Sequence, residues 1–474
     1  MEELEIKIKE SFPQMAVLKS SATNVFSFYN IPLFIKDWVI MKYADKDGNI
    51  DPEFLKVKMP KILPKKEEWP LLLDKLINEK QDISFLAKIK VKTNISSGEI
   101  TFTLPDLDLT NKDTIIFEDV WKSIKTDNLS SGEECWGVVT LRHVEYKKSH
   151  KIGLVGFKIF KPYNVNAEYY AKVRESFSLD EWIDVVLGAM NYNGKSFKTF
   201  ENKFEMLKRL IPFVEKRTNL IELAPKGTGK SYVFSQISKF GWLNSGGVVS
   251  RAKLFYDMST KQVGLLGNYD YVALDEISTI KFTDMAEIQG SLKCYLESGT
   301  FAVGTKMNSS DAGMIFLGNI SINDMDVNKV MTKSLPDLFN DSALLDRIHG
   351  FIKGWDVPRM DESLKMKGWG LNTEYFAEIL HLLRNDSSYM SVVDGLLQVT
   401  SGDTRDVTSI KRLCSAFIKL LFPHWNSIDK VNKEEFKKYC LDPAIEMRTI
   451  IKKQLALMDN EFASRPFPEF QIVE

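Results

Sequence analysis

The sequence predicts an α/β fold built on a mostly parallel sheet, with a β-rich module before it and helices after it. Three observations predict this. Between about residues 200 and 360, short apolar runs alternate with helical patterns, as strands joined by crossover helices do. Before about residue 165 the short runs alternate polar and apolar, and after Pro358 the apolar positions recur at helical spacing. The chain therefore divides into a β-rich N-terminal domain over 1–165, a helical connector over 166–198, an α/β core over 199–360 and helices over 361–474.

Length and composition agree with this division. A chain of 474 residues exceeds one hydrophobic core and suits about two to four domains. Apolar residues at 44% and charged residues at 27% are ordinary globular usage and exclude disorder as the default. The net charge of -1 carries no global basic signal, so any nucleic-acid contact must come from a local patch or from a pore shared by several subunits. The opening MEELEIKIKESF has no apolar core of a signal peptide, and no apolar run approaches the roughly 18 residues of a membrane span. A soluble, cytoplasmic protein is expected. Cys135, Cys294, Cys414 and Cys440 lack C-x-x-C spacing and read as reduced, mostly core thiols, and the histidines form no ligand cluster.

In the N-terminal part, AKIKVK (87–92) and EITFTL (99–104) flank a polar segment ending in Ser97-Gly98, a hairpin signal. WGVVTL (136–141) and IGLVGFKIF (152–160) add two more strands, which together suggest a small barrel-like or OB-like module. From Ala167 to about Gly194, Trp182, Val185, Val186 and Met190 fall at helical spacing and form the connector. Farther on, TEYFAEILHLLR (373–384) gathers Phe376, Ile379, Leu380 and Leu383 on one face. Helical patterns recur near 404–421 and 433–458. An α/β core followed by a helical bundle suits a nucleotide-binding core with a C-terminal helical lid.

The chemistry centres on NLIELA (219–224), a buried-strand candidate that runs into PKGTGKS (225–231) and then a helical pattern. Strand, Gly-rich loop, Lys-Ser and helix is the context of a Walker A phosphate loop. Pro225, Lys226, Gly227, Thr228 and Gly229 would cradle phosphate oxygens with their backbone, Lys230 would reach the β- and γ-phosphates, and Ser231 would ligate Mg²⁺. The consensus begins with glycine where this chain has Ala224, which is compatible provided the backbone keeps a negative φ there. Downstream, YVALDE (271–276) is a strand ending in two acids, the Walker B form, with Asp275 holding Mg²⁺ through water and Glu276 as general base. GMIFLGN (313–319) places Asn319 at the end of a further strand, either to orient the attacking water or γ-phosphate or as a turn residue. ALLDRIH (343–349) offers Arg347 as an arginine finger or as half of an Asp-Arg surface pair. GDTRDV (402–407) offers Arg405 as a second γ-phosphate sensor, with Arg412 as its rival. These motifs in this order are those of an AAA+ P-loop ATPase using ATP and Mg²⁺.

From Asn219 to Trp355 the chain resembles the ATPase core of the Lon-like AAA+ proteins of BREX phage-defence systems, the BrxL family. The matching strings are NLIELAPKGTGKS, SGGVVSRAKLFYDM, YDYVALDE, YLESGTF and ALLDRIHGFIKGW, and the lid segment and β-rich domain look similar too. The resemblance implies a ring of subunits, taken as a hexamer, around double-stranded DNA, with ATP sites at the interfaces and other phage-defence proteins as candidate partners. It implies kinship with MCM helicases, whose lid helix TRDVTSIKRL resembles, which favours Arg405 over Arg412. Family members continue into a Lon-protease-like domain; here no serine-lysine protease motif is visible, and proteolysis by this chain is not expected.

Two basic features are candidate DNA contacts. LKCYLESGTFAVGTK (292–306) reads as a helix feeding a short β-like run, followed by a turn around residues 308–311. In MCM-like motors, which this resembles, a hairpin here points into the pore, and Lys306 is the corresponding phosphate contact; alone, such a lysine is solvated surface. Lys88, Lys90 and Lys92 alternate along one strand and share a face, which is either a wet β-face or a DNA-guiding one. DKDGNI (45–50) lacks the closing glutamate of a calcium loop and reads as a turn. The alternative function is an AAA+ protein unfoldase serving a separate protease, although no aromatic-apolar pore loop is evident between Phe301 and Asn308.

Overall fold

The computed structural model describes residues 2–21, 23–29, 31–94, 97–125, 134–259, 261–304 and 306–473. They form two compact units.

The smaller unit comprises residues 21–29 and 43–164. Its strands Ile83–Thr93, Ile100–Thr103, Thr114–Ile116, Ser149–Ile159 and Glu134–Tyr146 close, in that spatial order, into a barrel. All neighbours are antiparallel except Thr114–Ile116 and Ser149–Ile159, which run parallel. Period-two alternation makes the barrel: Phe85, Ala87, Ile89 and Val91 point inward to meet Phe102, Val139, Leu141, Ile152 and Leu154. Lys88, Lys90 and Lys92 take the opposite face of the same strand. The helix Trp69–Ile77 buries Leu76 against this core.

In the larger unit a sheet of five parallel strands runs Gly350–Lys353, Leu220–Ala224, Gly313–Asn319, Tyr271–Asp275 and Gly241–Ser245. Leu220–Ala224 and Tyr271–Asp275 are buried at every position, as strands covered on both faces must be. Ile221, Leu223, Val272, Leu274, Met314 and Phe316 share one core with the helix Met285–Ser298. Pairing of Asn319 with Ala224 and of Asp275 with Ser245 brings the carboxyl ends of these strands to one edge, where ligands bind in parallel α/β sheets. The helix Asp442–Met458 packs on Gly350–Lys353; a side chain on Gly350 would meet Met447 at 3.0 Å.

Three expectations are sharpened. Residues 2–20 and 31–42, read as part of an N-terminal domain, belong to the larger unit. There Ala16–Leu18 pairs antiparallel with Trp369–Leu371, and Lys19 lies 2.5 Å from Asp37, both side chains wholly buried. The Asp37 carboxylate also accepts from the Thr373 N–H at 2.9 Å. The segment 166–198, read as a helical connector, holds the helices Ala167–Arg174 and Leu179–Ala189 and packs into the larger unit: Trp182 is fully buried and donates to the Leu420 carbonyl, and Arg174 donates to the Leu421 carbonyl. The turn after the helix Met285–Ser298 comes earlier than expected. Thr300–Val303 and Lys306–Ser309 pair antiparallel around Gly304, whose φ of +59° suits a two-residue hairpin turn.

Phe102 has no exposed surface inside the barrel. Phe102→Ala is expected to cost about 3–5 kcal/mol. Hydrogen exchange should rise across residues 83–159 while the strand Leu220–Ala224 keeps its protection; equal loss in both units would contradict a barrel with its own core.

Candidate functional site

The site begins with a buried charge. Glu222 lies in the middle of the strand Leu220–Ala224 with no exposed surface. Arg209, also fully buried, grips it with both arms of its guanidinium, Nε to Oε2 at 3.0 Å and Nη2 to Oε1 at 2.6 Å. Its remaining nitrogen, Nη1, donates to the Thr228 carbonyl at 2.8 Å, so the pair fastens the glycine-rich loop 225–231 to the sheet. The arrangement raises the Arg209 pKa above its ordinary value: burial opposes the charge, and Glu222 more than offsets it.

The loop itself fits a phosphate. Gly227 and Gly229 adopt φ of +86° and +74°, a conformation that turns successive N–H groups into a concave nest. Gly229 cannot be replaced without collision, because a Cβ there would lie 2.8 Å from the Tyr192 hydroxyl. The Met360 N–H holds the Gly227 carbonyl at 2.8 Å. Ala224 has no positive φ, so alanine is compatible where the consensus has glycine, and its methyl faces Gly354, where a side chain would collide with it. Pro225 is half-buried and Lys226 exposed.

Lys230 and Ser231, at the end of the loop, meet Asn319 and Asp275. Lys230 donates to Asn319 Oδ1 at 3.1 Å and to the Pro225 carbonyl at 3.4 Å. Burial lowers its pKa, with Arg209 acting the same way and Glu222 and Asp275 opposing. The Ser231 hydroxyl donates to Asp275 Oδ2, while Asp275 Oδ1 accepts from the Glu276 N–H at 2.8 Å. Hydroxyl and carboxylate oxygens so placed are a hard donor set, which suits Mg²⁺. Glu276 is exposed and held at φ of +52°, a strained conformation for a non-glycine residue. Its carboxylate turns toward Gly246, where a Cβ would lie 3.5 Å from Oε2.

Arg347 and Arg405 do not join this group. With Glu297, Asp346, His349 and Arg412 they line a separate pocket of about 380 Å³, whose walls include none of residues 225–231. Arg405 binds Glu297 through Nε and Nη2 at 2.9 and 2.8 Å and Asp346 through Nη1 at 2.8 Å. Arg347 Nε lies 2.9 Å from Glu297, and Arg347 Nη1 donates to the Ala343 carbonyl. Asp346 pairs with Arg405 and the buried Arg448, not with its sequence neighbour. Arg412 donates to the Arg217 carbonyl at 2.9 Å.

The basic candidates sit elsewhere. Lys306 follows the hairpin tip and is exposed together with Met307. Lys88 stands 5.6 Å above the Trp136 ring, Lys90 lies 4.0 Å from Glu134, and Lys92 is exposed.

Comparison with known proteins supplies the family. Residues 152–468 match the model described as "Lon-like protease BrxL-like, ATPase domain", and residues 10–143 match "BREX system Lon protease-like protein BrxL N-terminal". The chain belongs to the BrxL family. It is 29% identical over 463 residues to the Lon-like protease BrxL of Escherichia coli O9:H4 (strain HS), covering 96% of this chain and 65% of that protein. It is 30% identical over 488 residues to the Lon-like protease BrxL of Bacillus cereus (strain H3081.97), covering 98% of this chain and 71% of that one. The chain thus spans about two thirds of the length of these BrxL relatives.

Arg209, Glu222, Tyr192 and Glu297 escaped the sequence reading of this BrxL ATPase domain. One signal was present, a lone glutamate inside an apolar strand, which requires a buried partner. Arg209→Met should lower stability by about 3–5 kcal/mol by stranding the Glu222 charge. Adding Glu222→Leu should recover most of that loss in urea unfolding; an additive double variant would show that the two side chains act independently.

Proposed function

We propose that this BrxL chain is an ATP-hydrolysing AAA+ motor that assembles as a ring, taken as a hexamer, and binds or translocates on double-stranded DNA in antiphage defence. One observation carries the reading: the phosphate loop, Lys230, the Ser231–Asp275 pair and Asn319 converge at one edge of the parallel sheet, while Arg347 and Arg405 line a pocket apart from them. A nucleotide at the loop then has only half of its charged partners within one chain. The other half comes from the neighbouring subunit.

The residues divide the work. The N–H groups of residues 227–231 and the Lys230 ammonium neutralise phosphate oxygens, which is most of what phosphoryl transfer needs from a protein. Ser231 Oγ, and Asp275 through water, would hold Mg²⁺, which would supply charge neutralisation at the phosphates. Glu276 takes a proton from the attacking water, and Asn319 orients that water or the γ-phosphate. Arg347 and Arg405 from the adjacent subunit stabilise the charge that develops in the transition state, and the helices after residue 361 act as the lid that presents Arg405.

DNA is the favoured track for two reasons. The exposed Lys306 on the hairpin would be repeated around a ring, and the barrel's strand order, with its one parallel pair, supports an OB-like module whose lysine face guides the duplex. The alternative, a protein unfoldase working with a separate protease, draws support from Met307, exposed beside Lys306. Among the described residues no helix is long and apolar enough to cross a membrane. The motor works in the cytoplasm and turns over ATP without proteolysis.

Lys230→Ala should abolish turnover, and Glu276→Gln should reduce kcat by about 10²–10⁴-fold with nucleotide still bound. Unchanged turnover in purified Lys230→Ala would refute the ATPase assignment. Saturating duplex DNA should stimulate hydrolysis in a salt-sensitive way, and Lys306→Ala should weaken that effect. A duplex that alters neither electrophoretic mobility nor turnover would leave the unfoldase reading in its place.

A further inference from the structure

Glu297 is the side chain that Arg347 and Arg405 share. It lies one residue before the end of the helix Met285–Ser298 and reaches into the pocket from its rim. Arg405 meets both of its oxygens, with Nε 3.1 Å from Oε1 and 2.9 Å from Oε2. Arg347 Nε lies 2.9 Å from the same Oε2 without a hydrogen-bonding angle, so that donor is electrostatically attracted yet unsatisfied.

Three arginines, Arg347, Arg405 and Arg412, share the pocket with three carboxylates, Glu297, Asp346 and Asp403. Asp346 also binds the buried Arg448 at 2.9 Å, and Asp403 binds Arg465 at 3.3 Å. Glu297 is the carboxylate that Arg347 and Arg405 both meet, and it leaves Arg347 Nε unsatisfied. A terminal phosphate has three acceptor oxygens and more charge than a carboxylate, and it can satisfy both forks at once.

Asp346 and Glu297 also differ in how firmly they are held. The Asp346 side chain is 3% exposed, and the Glu297 side chain is 40% exposed. A buried, doubly paired Asp346 is a fixed pivot for Arg405. A solvent-screened Glu297 is readily exchanged.

We propose that Glu297 is a placeholder for the terminal phosphate of the neighbouring subunit's nucleotide: it positions Arg347 and Arg405 in the pocket and is displaced when a triphosphate engages them. The inference rests on the reading that these arginines act across a subunit interface. Glu297 is thus a positioning residue that competes with the nucleotide, and apparent ATP affinity is reduced by the fraction of arginines it occupies.

Steady-state hydrolysis by the full chain tests this with Glu297→Gln, Glu297→Asp and Arg347→Ala. Glutamine keeps the shape and removes the charge. It should lower KM for ATP about 3–10-fold and leave kcat within about twofold, since only competition with the ground state is lost. Aspartate, shorter but charged, should move KM in the same direction by less. Arg347→Ala should lower kcat by about 10³-fold or more. If Glu297→Gln loses kcat as Arg347→Ala does, Glu297 is a structural support and the placeholder is wrong. Unchanged KM in both Glu297 variants, beside an inactive Arg347→Ala, overturns the placeholder alone. Wild-type kcat in Arg347→Ala overturns the interfacial reading, and the placeholder with it.

Discussion

Glu222 stands in a strand that is buried along its whole length, where a carboxylate has no access to water. Only a partner that satisfies both of its oxygens makes that position tenable, and Arg209 does so with a two-armed guanidinium. The same guanidinium has one nitrogen left, and it is spent on the Thr228 carbonyl. The tip of the glycine-rich loop is thereby referred to the centre of the sheet rather than to the surface. Around this anchor the other constraints fall into place. Gly229 must be glycine because the Tyr192 hydroxyl sits behind it, and Gly354 must be glycine because the Glu222 carboxylate and the Ala224 methyl occupy its side-chain space. The one buried charge thus dictates the residues at two other positions, Arg209 and Gly354.

What could be read from the sequence was what is contiguous in it. The strand Leu220–Ala224, the loop and the helix Lys230–Gln236 follow one another directly, so periodicity and glycine spacing reveal them together. The alternation in 83–93 is equally local, and it separates Ile89 and Val91 inside the barrel from Lys90 and Lys92 outside it. Asn319 was legible as a strand end, and pairing with Ala224 is what places it beside Lys230.

The rest was illegible because it depends on partners far along the chain. Nothing in AVL at 16–18 announces that it pairs with WGL at 369–371, and a lysine next to it gives no hint of burial against Asp37 and Thr373. Composition alone placed that segment with its sequence neighbours, whereas packing places it with the larger unit. Glu297 shows the same limit in another form. In the sequence it is an ordinary helix-end glutamate; it acquires its partners only because residues 347 and 405 arrive from two other elements. The hairpin turn was misplaced for a local reason, since a polar Asn-Ser-Ser-Asp run outweighed a single glycine, and the required positive φ fell to Gly304.

The order of the parallel strands bears on how the molecule comes to exist at all. The strand that runs into the glycine-rich loop is flanked by Gly313–Asn319 and Gly350–Lys353, both of which leave the ribosome long after it. Such non-local pairings close large loops before they gain contacts, which makes them slow steps in folding. During synthesis the strand Leu220–Ala224 therefore waits for Gly313–Asn319 on one edge and for Gly350–Lys353 on the other, and it is paired on both edges only after Lys353 has been made. Until then its open edge is a site for misassociation, as unpaired strands are in any slowly closing sheet.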